Sequence, residues 1–117
     1  MSDLKEKHCR PCEGDISALT MDEIKILAPQ LDKRWRVDTP AGRLARTFRF
    51  RNYYQTAAFV NAVAWVAHRE SHHPEIRFGY NEAEVCWWTH AIDGLTENDF
   101  ICAAKIDTLV NADETDQ

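Results

Sequence analysis

Apolar residues recur at helical spacing in three stretches of the chain and alternate in four others, and turn residues separate them. Thr20 with Glu23 has the form of a capping box: the hydroxyl can accept the amide three residues on while the carboxylate reaches back. Ile24, Leu27 and Ala28 behind it predict a short helix stopped near Pro29. Residues 35–38 and 43–50 flank the turn Thr39-Pro40-Ala41-Gly42, and Leu44, Phe48 and Phe50 share one parity, which predicts a β-hairpin. Asn52, with Gln55 behind it, can cap a longer helix whose buried stripe is Phe59, Ala62, Val63, Val66 and Ala67. Pro74 is predicted to end it, because a proline pushes the residue before it out of the α region. Ile76, Phe78 and Tyr80 then alternate, Tyr80-Asn81-Glu82-Ala83 offers a turn, and residues 83–90 read as a strand. On that strand Val85, Trp87 and Thr89 face away from Cys86, Trp88 and His90. Thr96 with Asp99 caps a last helix that carries Cys102, Ala103, Ile106, Leu109 and Val110 on one side.

The predicted order α-β-β-α-β-β-α, joined by hairpins rather than crossovers, is an α+β fold: an antiparallel four-stranded sheet with three helices on one face. The uncovered face and exposed edge strands favour a homodimer or homotetramer. A length of 117 residues with 44% hydrophobic content fits one domain. That domain is placed at residues 18–112, after a flexible N-terminal tail at 1–17 with Pro11 and Gly14, and before a solvated tail at 113–117. No apolar run reaches the roughly 18–20 residues of a membrane span, and the N-terminus lacks the apolar block of a signal peptide, so a cytoplasmic protein without membrane contact is expected. The four cysteines, at 9, 12, 86 and 102, are expected to be reduced. A net charge of −5 opposes nucleic-acid binding. Arg34, Arg36, Arg43, Arg46, Arg49 and Arg51 make the first hairpin basic, but in a half-buried strand they are expected on the solvated side or snorkelling past the aromatics.

Three of the five histidines fall within Ala67-His-Arg-Glu-Ser-His-His-Pro-Glu75. On a helix, His68 and His72 would stack at the spacing of a two-histidine metal site. Arg69 stands where a zinc protease has its glutamate, however, and no closed tetrahedral ligand set is evident. Acid–base chemistry without a metal suits the cluster better. Imidazole is both protonated and neutral near neutral pH, and crowded imidazoles titrate apart, leaving one acid beside one base. His90 is the expected third partner, because it closes a strand where the chain must turn. Taken singly, each of these residues has a structural explanation: His72 or His73 as a helix-end cap, His68 as a partly exposed helix residue, Trp88 as core. Their conjunction favours a site. Cys9-x-x-Cys12 beside His8 supplies too few ligands for a zinc knuckle, so free, flexible thiols are expected.

His68-Arg-Glu-Ser-His72-His73-Pro74, Tyr80-Asn81, Trp88-Thr89-His90 and Gly94-Leu95-Thr96-Glu97-Asn98-Asp99 together resemble the pterin-4a-carbinolamine dehydratases, over roughly residues 20–110. The resemblance implies dehydration of 4a-hydroxytetrahydropterin to quinonoid dihydropterin, with no metal and no organic cofactor. It implies recycling of the cofactor of aromatic amino-acid hydroxylases, with phenylalanine hydroxylase as a functional companion. It puts the active-site histidines at His72, His73 and His90, and the pterin contacts at His72, His73, Pro74, Thr89, His90, Ala91 and Ile92. Trp35, Asp99, Trp88 and His68 take supporting places. His68 occupies a position commonly acidic in the family, so a carboxylate role there is lost, taken by imidazole, or met by Glu70. Which histidine is the acid stays open. The resemblance also carries an alternative: a non-catalytic adaptor that dimerises with a transcription factor, as eukaryotic relatives do.

Overall fold

The computed structural model describes residues 4–10 and 17–110. Helix α1 (Met21–Leu27) begins where Thr20 accepts the Glu23 amide at 3.2 Å and the Glu23 carboxylate accepts the Thr20 amide at 2.8 Å. Two backbone donors that a helix start leaves unpartnered are thereby satisfied. It runs into a 3-10 turn, Ala28–Gln30, at Pro29, whose nitrogen has no proton to donate.

Strands β1 (Arg36–Asp38) and β2 (Arg43–Arg49) form one hairpin, and β3 (Glu75–Phe78) and β4 (Glu82–Trp87) the other. β4 lies beside β2, with Leu44 opposite Trp87 and Arg49 opposite Glu82, so the sheet runs β1-β2-β4-β3 with every neighbour antiparallel. Period-two alternation buries Leu44, Arg46 and Phe48 from β2 and Ala83, Val85 and Trp87 from β4, while Ala45, Thr47, Glu84 and Cys86 on the other face are only half covered. Helices α2 (Tyr53–Glu70) and α3 (Glu97–Asp107) close the buried face with Phe59, Val63 and Ala67 from one and Phe100, Ile101, Ala103 and Ile106 from the other. The Phe48 and Phe59 rings meet at 4.5 Å. The three-helix, four-stranded antiparallel α+β architecture expected from the sequence is the one observed.

Four details differ from the sequence reading. Arg46, expected on the solvated side of its hairpin or snorkelling past the aromatics, does cross the Phe48 ring, 4.2 Å from its centroid, but is 1% exposed and ends on Asp107, to which Nη1 donates at 2.7 Å, rather than in water. The buried charge persists there because a carboxylate meets it. The second difference is that α2 stops before Pro74: Ser71 turns left-handed (φ 52°), its amide donates to Ala67 and His68, and the His72 amide returns to Ala67. His72 therefore leaves the helix and no longer shares a ridge with His68. Thirdly, Leu109 and Val110 lie beyond the end of α3, and Leu109 is exposed.

The fourth concerns residues 4–10, placed by the sequence in a loose tail. They dock on α3: Leu4 is 4% exposed, Lys7 pairs with Glu97 at 2.9 Å, and Lys105 donates to the Lys5 carbonyl at 2.9 Å. One buried leucine, together with polar ties from Glu70, Glu97, Asn98 and Lys105, holds a segment whose periodicity predicts nothing. The tail at 113–117 and Cys12 lie outside the described residues.

Candidate active site

The left-handed turn at Ser71 directs His72 inward, where it is 8% exposed and stacks parallel to Trp87, ring centroids 5.8 Å apart at 4°. Its Nε2 meets Asp99 Oδ1 at 2.6 Å. Asp99 is fully buried at the first turn of α3, and its second oxygen accepts from the Thr96 amide and the Thr89 hydroxyl, both at 2.9 Å. Thr89 and Thr96 also share a hydroxyl contact at 2.8 Å. A carboxylate can only accept, so the His72 nitrogen facing it carries the proton, and in the neutral ring Nδ1 keeps a lone pair.

His90 is placed by the turn that follows β4. Thr89 and Gly94 bridge, the Thr89 amide donates to Gly94 at 2.8 Å, and Ile92 and Asp93 donate back to Thr89 and His90. Gly42, left-handed (φ 67°), packs on this turn so closely that a Cβ on it would lie 2.9 Å from the Gly94 Cα, so only glycine fits at position 42. The exposed His90 ring lies between two others, His73 at 4.7 Å and Trp88 at 4.3 Å, and the Arg43 guanidinium covers the far face of the stack at 4.1 Å from Trp88. Arg43 is itself anchored by Asp93 at 2.9 Å.

Around these rings opens a cleft of about 470 Å³, within the range of small-molecule sites. His72, His73, Thr89, His90 and Ala91 line it, and so do His8, Cys9, Arg10 and Asn98. Four of the five histidines thus share one cavity. Glu70 contributes to its wall: Oε1 accepts the Cys9 amide at 2.7 Å and Oε2 meets His8 Nδ1 at 3.0 Å. Burial works to raise the Glu70 carboxyl, but the Cys9 amide, His8 and Lys105 outweigh it and hold the group below its ordinary range. Asn98 clamps Arg10 from both sides, accepting its amide at 3.0 Å and donating to its carbonyl at 2.7 Å. A second groove, between Phe50, Phe59, Ala62 and Leu109, is lined by neither histidine nor carboxylate. Among the described residues no group of three or more His, Cys, Asp or Glu side chains is set to hold a metal ion.

The structure therefore gathers His72, His73, Thr89, His90 and Ala91 on one cleft, with Asp99 and Trp88 in contact with its histidines. Pro74 and His68 line instead an adjoining cavity of about 550 Å³, with Ala64, Ile76 and the other sides of His72 and His73, and the His68 ring stacks on Trp65 at 5.5 Å. Ile92 is absent from the cleft lining. Trp35 sits in the core, donating Nε1 to Asp107 at 2.9 Å and 3.0 Å. Sequence reasoning did not anticipate Cys9, Arg10 and Arg43. The first two lie in a segment without periodicity, and only the tertiary fold brings Arg43 over Trp88.

A model of the pterin 4 alpha carbinolamine dehydratase family matches residues 17–109. A Nitrosomonas eutropha protein, provisionally named a pterin-4-alpha-carbinolamine dehydratase, is 54% identical over 108 residues, covering 92% of this chain and 94% of its own. A Nitrosospira multiformis protein with the same provisional name is 57% identical over 110 residues, covering 93% and 94%. Among solved structures, a transcriptional coactivator/pterin dehydratase from Brucella melitensis superposes with a TM-score of 0.76 at 28% identity, over 81% of this chain and all of its own. A pterin dehydratase-like RuBisCO assembly factor of the alpha-carboxysome superposes with a TM-score of 0.56 at 30% identity, over 64% and 87%. With its family match running nearly the whole length of the described fold, the chain belongs to the pterin 4 alpha carbinolamine dehydratase family.

Proposed function

We propose that the chain dehydrates 4a-hydroxytetrahydropterin to quinonoid dihydropterin, using the imidazoles of the cleft as proton donors and acceptors. The observation that carries this reading is the meeting of His73 and His90 at the open face of a cleft that His72, tied to Asp99, also lines. Elimination breaks the C4a–O bond. The leaving hydroxyl takes up a proton and departs as water, while the neighbouring ring nitrogen gives up its proton and its electron pair forms the new C=N bond. The nitrogen electron pair drives the C–O cleavage, and the catalyst has to give one proton and take another, which imidazoles can do. His72 takes the base role, because Asp99 fixes its tautomer and leaves Nδ1 free to accept. His90, exposed at the mouth of the cleft, gives the proton to the hydroxyl, and His73 positions the substrate beside it. The flat pterin enters the cleft lined by His72, His73 and His90, beside the ring stack rather than on the Trp88 ring, which His90 and Arg43 cover.

In this reading the product, after a separate two-electron reduction to tetrahydropterin, again serves an aromatic amino-acid hydroxylase such as phenylalanine hydroxylase, in the cytoplasm, and the chain works as a homo-oligomer. The half-covered sheet face, the β3 edge and the exposed Tyr53, Tyr54, Phe78 and Tyr80 support self-association. The adaptor reading has its own support, since two structural relatives are described by a coactivator and an assembly role. Stopped-flow absorbance of freshly generated 4a-hydroxytetrahydropterin separates the two. An enzyme accelerates its loss well above the buffer rate, and a pure adaptor leaves that rate unchanged.

A further inference from the structure

Cys9 and Cys102 stand 93 positions apart in the chain, yet their sulfurs lie 3.4 Å from each other. Cys102 projects from α3 and is fully buried, whereas Cys9 is partly exposed on the cleft wall. Contact with Cys9 first, and burial second, push the Cys102 thiol far up, so Cys102 keeps its proton and Cys9 is the sulfur that a solute meets. A disulfide needs the sulfurs about 2.0 Å apart, a closure of roughly 1.4 Å. The movement falls on Cys9, because Cys102 is packed within a helix, while Cys9 belongs to a short strap fastened by Leu4, Glu70 and Asn98.

We propose that Cys9 and Cys102 form an oxidative modification site, in which a hydroperoxide converts the pair to a disulfide that fastens residues 8–10 to α3 along the edge of the histidine cleft. In the first step the Cys9 sulfur attacks the peroxide, the O–O bond breaks, and Cys9 becomes a sulfenic acid as the hydroperoxide is reduced to an alcohol or water. In the second, the Cys102 sulfur displaces the hydroxyl, the S–S bond forms, and the Cys102 proton leaves with that hydroxyl as water. The sulfurs lose two electrons in all, and the peroxide accepts them. Because Cys9 donates its amide to Glu70 on the cleft wall, the closure is felt there. The site stands on the sulfur geometry alone and is independent of the reaction assigned to the cleft.

The test treats the full, reduced chain with hydrogen peroxide and maps its fragments without reduction by mass spectrometry. The expected result is one joined fragment pair holding Cys9 and Cys102, separated again by dithiothreitol. A Cys12→Ser/Cys86→Ser variant leaves only these two thiols and is expected to lose the mass of two hydrogens within a single chain. Cys9 joined to Cys12, Cys9 joined to another chain, or Cys9 over-oxidised while Cys102 stays a free thiol would each overturn the proposal. Should the variant fail to fold, the wild-type map decides alone.

Discussion

Asp99 fastens three segments with one carboxylate: His72 after α2, Thr89 after β4, and Thr96 at the start of α3. Fully buried, it has no water to replace any of these partners, so the orientation of His72 depends on it. Asp99→Asn puts an amide where two oxygens accepted, and whichever way it turns, at least one donor faces an NH2 group. The expected outcome is a loss of about 1–3 kcal/mol of stability in denaturant unfolding. Turnover should fall by roughly a hundredfold or more, because the imidazole loses its fixed tautomer. His90→Ala tests a different dependence. His90 is exposed, and its ring only stacks on the flanking His73 and Trp88 rings, so its removal should cost about 1 kcal/mol of unfolding free energy or less. Dehydration should nonetheless slow by roughly a hundred- to ten-thousandfold. At this scale the sequence was informative about residue type and uninformative about contact. The His72-His73-Pro74 and Thr89-His90 stretches mark where imidazoles lie, but no spacing rule shows that Asp99 faces one of them or that Arg43 caps the other's stack.

The element that matters most to the site is the end of α2. The apolar stripe of α2 and its Asn52 cap are readable from period and residue type, and Asn52 does accept the Gln55 amide at 2.9 Å. Its stop is not, because Ser71 takes a left-handed conformation more often given to glycine or asparagine. Ser71→Gly should therefore be neutral to stabilising by up to about 1 kcal/mol in thermal or denaturant melts. The N-terminal strap is the other element that periodicity misses, being held by one buried leucine and by hydrogen bonds rather than by a stripe. Its link to Glu70 gives a pH dependence of definite sign. The folded-state carboxyl lies below its ordinary value of 4.5, so the docking contribution is complete above that value and is lost as pH falls through the lower folded value. The Cys9 amide resonance in an NMR titration should shift with an inflection below 4.5, and Glu70→Gln should abolish the inflection.

For the molecule as a whole, two hairpins interleave as β1-β2-β4-β3, and the helices cover one face. That much follows from alternation, caps and turns, since hairpins fix antiparallel neighbours and one apolar face demands a cover. The pairing of β2 with β4 does not follow, because nothing local specifies which strand of the second hairpin turns inward. This same pairing sets Trp87 under His72 and carries Thr89, His90 and the turn to Gly94 towards the end of α2, so the site is a product of the sheet order. No helix among the described residues is long and apolar enough to cross a membrane. The most direct test of the account is the single-turnover rate of 4a-hydroxytetrahydropterin loss, measured by stopped flow for the wild-type chain and His90→Ala side by side. The account predicts wild-type loss far faster than in buffer and a variant close to buffer with its fold unchanged. A wild-type rate equal to buffer, or an unimpaired variant, would contradict it.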